Sequence, residues 1–281
     1  MTMAYGDPRW LQGPAYGRYA PPARPSRTLA AARRIGTSRV ALQAAGVVLA
    51  YFVYFLVRGF TEGNEAQAVD HAHTLVAFEQ RMGFFWEPSI QRHVVEHHWV
   101  TTLANWMYIW GHWPLIAVVA AWLVVKRPAA FTLTRNAFLI SGGIGVCIFA
   151  LYPVAPPRLA DVGVIDTVTL YSHSYRVLQP PAFVNQYAAV PSLHFGWDLL
   201  IGIVLVREAR WLPVRAFGAV VPFLMAAAIV VTANHYIFDA LAGGAVALTG
   251  LALATVLRGL GERAAREQAA RADARPLQAA A

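Results

Sequence analysis

Between residues 40 and 257 the chain runs repeatedly for about 20 residues with almost no charge, the length of apolar helix that crosses a bilayer. The runs fall at 40–58, 100–125, 133–152, 192–206, 212–232 and 236–257. The fourth is short and carries Asp198. Small residues at Ser141, Gly142 and Gly143 suit close helix approach. Only 14% of the 281 residues are charged and 57% are hydrophobic, against about 25% charged in soluble domains. The expectation is an all-α membrane protein, a six-transmembrane helix bundle.

The basic residues test this layout. Six spans put both termini on one side of the membrane. That side, with the loops at 126–135 and 207–215, holds 18 of the 23 basic residues. The other side holds Arg58, Arg81, Arg92, Arg158 and Arg176. An excess of basic residues marks the cytoplasmic side, so the loops at 59–99, 153–191 and 232–236 face outward. The organisation expected is a disordered cytoplasmic tail over 1–38, a six-span domain over 39–258 and a second cytoplasmic tail over 259–281. The first tail does not read as a cleavable signal peptide. Arg-and-Ala-rich usage with Lys126 as the lone lysine suits a GC-rich bacterial genome, and hence a bacterial plasma membrane. The net charge of +8 belongs to tails and short loops, and no nucleic-acid recognition motif accompanies it. The partners implied are the lipid bilayer and a membrane lipid, with no nucleic acid.

In the first outer loop, residues 75–86 are amphipathic and aromatic, as in helices lying in the membrane interface. Glu79 and Glu87 there are expected to make surface or inter-helix contacts, with a substrate hydroxyl as an alternative partner for Glu79. Five histidines (His71, His73, His93, His97 and His98) lack the carboxylate pattern of zinc hydrolases and are expected to face water. Cys147, the single cysteine, excludes an intrachain disulfide and a cysteine zinc site, and is expected to pack in the core. His112, flanked by Trp110 and Trp113, either packs in the core or reaches a substrate cavity. No metal or cofactor is expected.

Polar groups collect at the outer ends of the spans. Residues 152–158 read Tyr-Pro-Val-Ala-Pro-Pro-Arg, 190–198 read Val-Pro-Ser-Leu-His-Phe-Gly-Trp-Asp, and 234–239 read Asn-His-Tyr-Ile-Phe-Asp. The topology puts Arg158, His194, His235 and Asp239 at one membrane face. Ionisable groups at span ends are costly and mark function. Each suits phosphoryl transfer. Asp239 lies one helical turn from His235 and fixes its tautomer, freeing the other nitrogen to attack phosphorus. His194 protonates the leaving alkoxide. Arg158 forks onto phosphate oxygens, and Ser192, Asn234 and the N–H groups opening the fourth helix bind more of the anion. Asp198, four residues after His194, is expected to pair with it or to face a hydrated cavity.

These segments resemble the type 2 phosphatidic acid phosphatase superfamily. Its Pro-Ser-x-His signature is matched by Pro191, Ser192, Leu193 and His194, and its His-x-x-x-Asp ending by His235 and Asp239. The Tyr-Pro-x-x-Pro-Pro-Arg segment at 152–158 and the Phe-Glu-x-x-x-Gly-Phe-Phe-Trp-Glu-Pro segment at 78–88 resemble the inositol phosphorylceramide synthase branch. The resemblance spans roughly 40–257. It implies a phosphohistidine intermediate on His235, with His194 as acid and then base, in a metal-independent lipid phosphatase or phosphotransferase. Two departures stand out. The Lys-x6-Arg-Pro signature is absent, and Ile229 stands where an arginine is usual. Two other readings compete: a transporter or flippase relaying protons through the His and Asp groups, and a haem protein ligated by His194 and His235.

Overall fold

The computed structural model describes residues 65–171 and 186–274, together with Gly46 and Phe52. The chain divides into two units, Met1–Leu49 and Ala50–Ala281, and every element below belongs to the second. The expected first span at 40–58, the tail at 1–38 and Arg176 lie outside the described residues, but for Gly46 and Phe52.

In order, the helices are α1 (Glu65–Met82), α2 (Glu87–Val95), α3 (His98–Trp106), α4 (Trp113–Lys126), α5 (Pro128–Leu151), α6 (Thr167–Tyr171), α7 (Leu193–Glu208), α8 (Leu212–Val231) and α9 (Ile237–Ala274). Among the described residues there is no β-strand, only a bridge between Val154 and Ala188. Among the described residues three helices, α5, α8 and α9, are long and apolar enough to cross a membrane, and α3 with α4 makes a fourth if that bent pair is one span. The expected span at 192–206 appears as α7, whose 16 residues give about 24 Å at 1.5 Å per residue. That is shorter than hydrocarbon about 30 Å thick.

The run at 100–125 is not one straight helix. It bends by 42° between Gly111 and Trp113. Pro114 has no N–H and its ring crowds the preceding turn, and the chain answers with a π-helical turn over Met107–Gly111. His112 sits at the bend and is buried, 2% exposed.

Small residues set the helix crossings. A Cβ at Gly202 would meet the Gly218 carbonyl oxygen at 2.5 Å, joining α7 to α8. One at Gly250 would meet the Ala137 carbonyl at 2.7 Å and Ser141 at 3.0 Å, joining α9 to α5. Ser141 and Gly142 thus lie at interfaces, as their small size suggested, but nothing approaches Gly143 within 4 Å. Cys147 is exposed on α5, contrary to the packed position expected. A spanning helix is apolar on its lipid face as well as its buried face, so an apolar run gives depth and not direction. Phe223, Val125 and Leu241 are exposed in the same way.

Candidate active site

Three segments far apart in sequence are tied together by backbone hydrogen bonds at one end of the bundle. Val154 N–H donates to the Tyr187 carbonyl (2.8 Å) and Ala189 N–H to the Val154 carbonyl (3.2 Å). Arg158 N–H donates to the Ala233 carbonyl (3.1 Å), and Ser192 N–H to the Asp239 carbonyl (3.0 Å). The Tyr236 hydroxyl, fully buried, donates to the Ala155 carbonyl at 3.2 Å. The segment at 152–158 is therefore the hub on which the other two are mounted.

Glycine allows the closest approach. A side chain on Gly243 would collide with the Ser192 carbonyl, and one on Gly196 would lie 2.5 Å from the Gly243 carbonyl oxygen. This contact brings the start of α7 onto α9. The result is that the His194 and His235 rings stand 5.9 Å apart, centroid to centroid.

His235 is oriented twice. Its Nδ1 lies 2.8 Å from the Ala189 carbonyl and 3.2 Å from Asp239 Oδ2. A carbonyl only accepts, so Nδ1 carries the proton and, in the neutral ring, Nε2 carries the lone pair. Asp239 is fully buried, and the same Oδ2 accepts from Tyr236 N–H at 2.9 Å. The turn before α9 is hydrogen-bonded throughout. Asn234 and His235 N–H both reach the Ile229 carbonyl, at 3.1 and 3.2 Å, and Ala233 takes a positive φ of 54°. Ile229, where the resemblance implied an arginine, supplies its backbone oxygen to this turn.

The other expected residues have mixed placements. Ser192 is buried, and its Oγ caps α7 by accepting from Phe195 N–H at 3.4 Å. The Asn234 amide donates to Thr232 Oγ1 at 2.9 Å, so it is engaged within its own turn. Arg158 is brought beside that turn by its backbone, and its Nε lies 3.7 Å from Asp166 Oδ2.

Asp198 has a partner that neither expectation named. It reaches across to His112, with Nδ1 to Oδ1 at 2.8 Å. The His112 ring lies 4.6 Å from that of His194, and Tyr108 stacks on His194 at 4.5 Å. A second imidazole–carboxylate pair thus borders the first. Only His112, set between Trp110 and Trp113 just before Pro114, hinted at it.

The outer histidines are less idle than expected. His71 Nδ1 lies 2.8 Å from the Pro153 carbonyl and its ring stacks on Tyr152 at 3.8 Å. His73 Nε2 lies 2.9 Å from the Ala160 carbonyl. Both hold α1 to the hub. Among the described residues no three His, Cys, Asp or Glu side chains are grouped to hold a metal.

No curated protein matches the chain. The solved structure titled "Crystal structure of Aquifex aeolicus LpxE" aligns over 57% of this chain and 87% of that one, at 11% identity and a TM-score of 0.42. The family assignment rests instead on the family model for the PAP2 superfamily, which matches residues 73–253 and takes in both histidines and Asp239. This chain belongs to the PAP2 superfamily.

Proposed function

We propose that the protein is a membrane enzyme that cleaves or transfers the phosphate ester of a lipid through a phosphohistidine on His235. The observation that carries the reading is the facing pair of imidazoles, 5.9 Å apart, one of them held as the Nδ1–H tautomer by Ala189 and Asp239. Nε2 of His235 attacks phosphorus and forms the P–N bond. The ester P–O bond breaks, and the leaving alkoxide takes a proton from His194. In the second half, His194 removes a proton from the acceptor hydroxyl, whose oxygen displaces the imidazole and returns the electron pair to Nε2. Water as acceptor makes a phosphatase, and a lipid hydroxyl makes a transferase. Arg158, steered by Asp166, Ser192 at the start of α7, and Asn234 are the proposed anion-binding groups. No metal takes part in this scheme.

The segments at 78–88 and 152–158 support the inositol phosphorylceramide synthase-like branch, and with it a transferase version. The full reading is a six-span bundle in a bacterial plasma membrane, with cytoplasmic termini and the site outward, supported by the distribution of basic residues. The test is turnover in detergent with labelled phosphatidate, isoprenoid phosphates, and phosphatidylinositol plus lipid acceptors. Turnover lost in both His194→Ala and His235→Ala supports the enzyme. Turnover kept in His235→Asn removes the nucleophile.

A further inference from the structure

Two acidic side chains are buried where neither the spans nor the phosphoryl chemistry accounts for them. Glu79 lies near the end of α1 and Glu87 opens α2, with a reversal between them at Gly83, whose φ is +80°. The reversal turns both carboxyls onto the start of α9. Glu79 Oε1 accepts from Phe238 N–H at 2.8 Å, and Glu87 Oε1 accepts from Ile237 N–H at 2.7 Å. Those amides belong to the first turn of α9, whose N–H groups have no partner within the helix.

The two side chains are 0% and 1% exposed. Their second oxygens, Oε2 of each, meet no N–H or O–H donor, while their first oxygens sit on the N–H groups of two successive residues, which brings the two carboxyl groups side by side on one turn. Two carboxylates offer only acceptors, whereas one added proton makes the pair a donor and an acceptor. Full ionisation would also put three buried carboxylates around one helical turn, because the fully buried Asp239 accepts from Tyr236 N–H on that same turn. The positive end of the helix dipole favours negative charge there, but it offsets too little to hold three buried carboxylates together.

We propose that Glu79 and Glu87 share a single proton, and that this carboxyl–carboxylate clamp is the positioning device that holds His235 and Asp239 in register. The titratable groups acting on it are Asp239 and Tyr236, on the same turn, with His235 one step away across Asp239. Arg81 and Arg92, on α1 and α2, are exposed and form no described ion pair with either glutamate. Burial raises both carboxyls above the usual range, Glu79 to about 8. A carboxyl raised on folding binds its proton more tightly in the native state. Its contribution is complete below the ordinary value of 4.5 and is lost as pH climbs to about 8.

The activity arm rests on the phosphohistidine reading, but the stability arm does not. The experiment is thermal unfolding of the full chain in detergent from pH 5 to 9, for the wild type, Glu79→Gln, Glu87→Gln and Glu79→Ala. Glutamine keeps the oxygen that accepts the helix N–H and supplies an N–H in place of the shared proton. The wild-type midpoint should fall steadily as pH rises to about 8, while either Gln variant flattens that slope. On any lipid phosphate that turns over, Glu79→Gln should exceed Glu79→Ala by about tenfold or more and keep its rate further into alkali than wild type. Equal slopes in wild type and Glu79→Gln would overturn the clamp, as would a Gln variant no better than Ala. If Glu79→Ala does not fold, the wild-type and Gln slopes still decide. If no lipid turns over, those slopes still decide the clamp, and it is the phosphohistidine reading that falls.

Discussion

The site contains two imidazole–aspartate pairs of similar chemistry and different build. His235 and Asp239 are four residues apart at the opening of one helix. His112 and Asp198 are 86 apart and join the bend between α3 and α4 to α7. His235 shares its Nδ1 between a carboxylate and the Ala189 carbonyl. The Nδ1 of His112 lies on Asp198 at 2.8 Å, and the ring packs against Trp113 and Trp197 at 5.2 and 6.0 Å. The local pair aims a nitrogen, whereas the long-range pair ties two helices together. His194 stands between them, so the tie also sets where that imidazole, the proposed acid, points. An imidazole beside a carboxylate does not by itself identify catalysis; the chain geometry around it assigns the job.

Substitutions can break or sharpen that contrast. His235→Asn should lower turnover by about 10³-fold or more while the protein still unfolds cooperatively near the wild-type temperature, because the proposed nucleophile is lost and the shape is kept. Asp239→Asn should follow at about 10²-fold, read from kcat/KM. His112→Phe should show the opposite balance. It strands Asp198 without its partner, at a cost of about 3 kcal/mol, seen as a lower unfolding midpoint, with turnover per folded molecule down by less than about tenfold. If His112→Phe instead abolished turnover at an unchanged midpoint, the two pairs would have to be treated alike.

Smaller effects test the frame. Gly243→Ala pushes α7 from α9 at Ser192 and should cost about 1–3 kcal/mol, with turnover falling because His194 moves from His235. Ala233 holds a left-handed backbone. Ala233→Gly should stabilise by up to about 1 kcal/mol, and Ala233→Val should destabilise by more. Thermal unfolding in detergent reads all three.

The parts of this architecture that hydropathy encodes were legible in the sequence. The runs at 133–152, 212–232 and 236–257 became α5, α8 and α9, because crossing hydrocarbon demands length and apolarity and little else. Proximity of His194 to His235 was also legible, since consecutive antiparallel spans return to one face. What the sequence hid depends on direction and partner choice. Cys147 sits in an apolar run yet faces outward. Asp198 has His194 one turn away, the correct spacing for a pair, but the bend at Pro114 delivers His112 to it instead. Glu79 and Glu87 were expected to make surface or inter-helix contacts and make the latter, but their partners are backbone N–H groups about 150 residues away, which no side-chain pattern announces. Ser192 was read for anion binding from its place at a helix start and Asn234 from its place beside His235, and each also has a local backbone or side-chain partner.

The central claim is that phosphorus passes through the Nε2 of His235. Its most direct test is to quench turnover of a lipid labelled in its phosphate and follow the label on the protein. Wild type should carry a protein-bound phosphate that is acid-labile and base-stable, and His235→Asn should carry none. Label that persists in His235→Asn, or steady turnover with no protein-bound phosphate in the wild type, would contradict it.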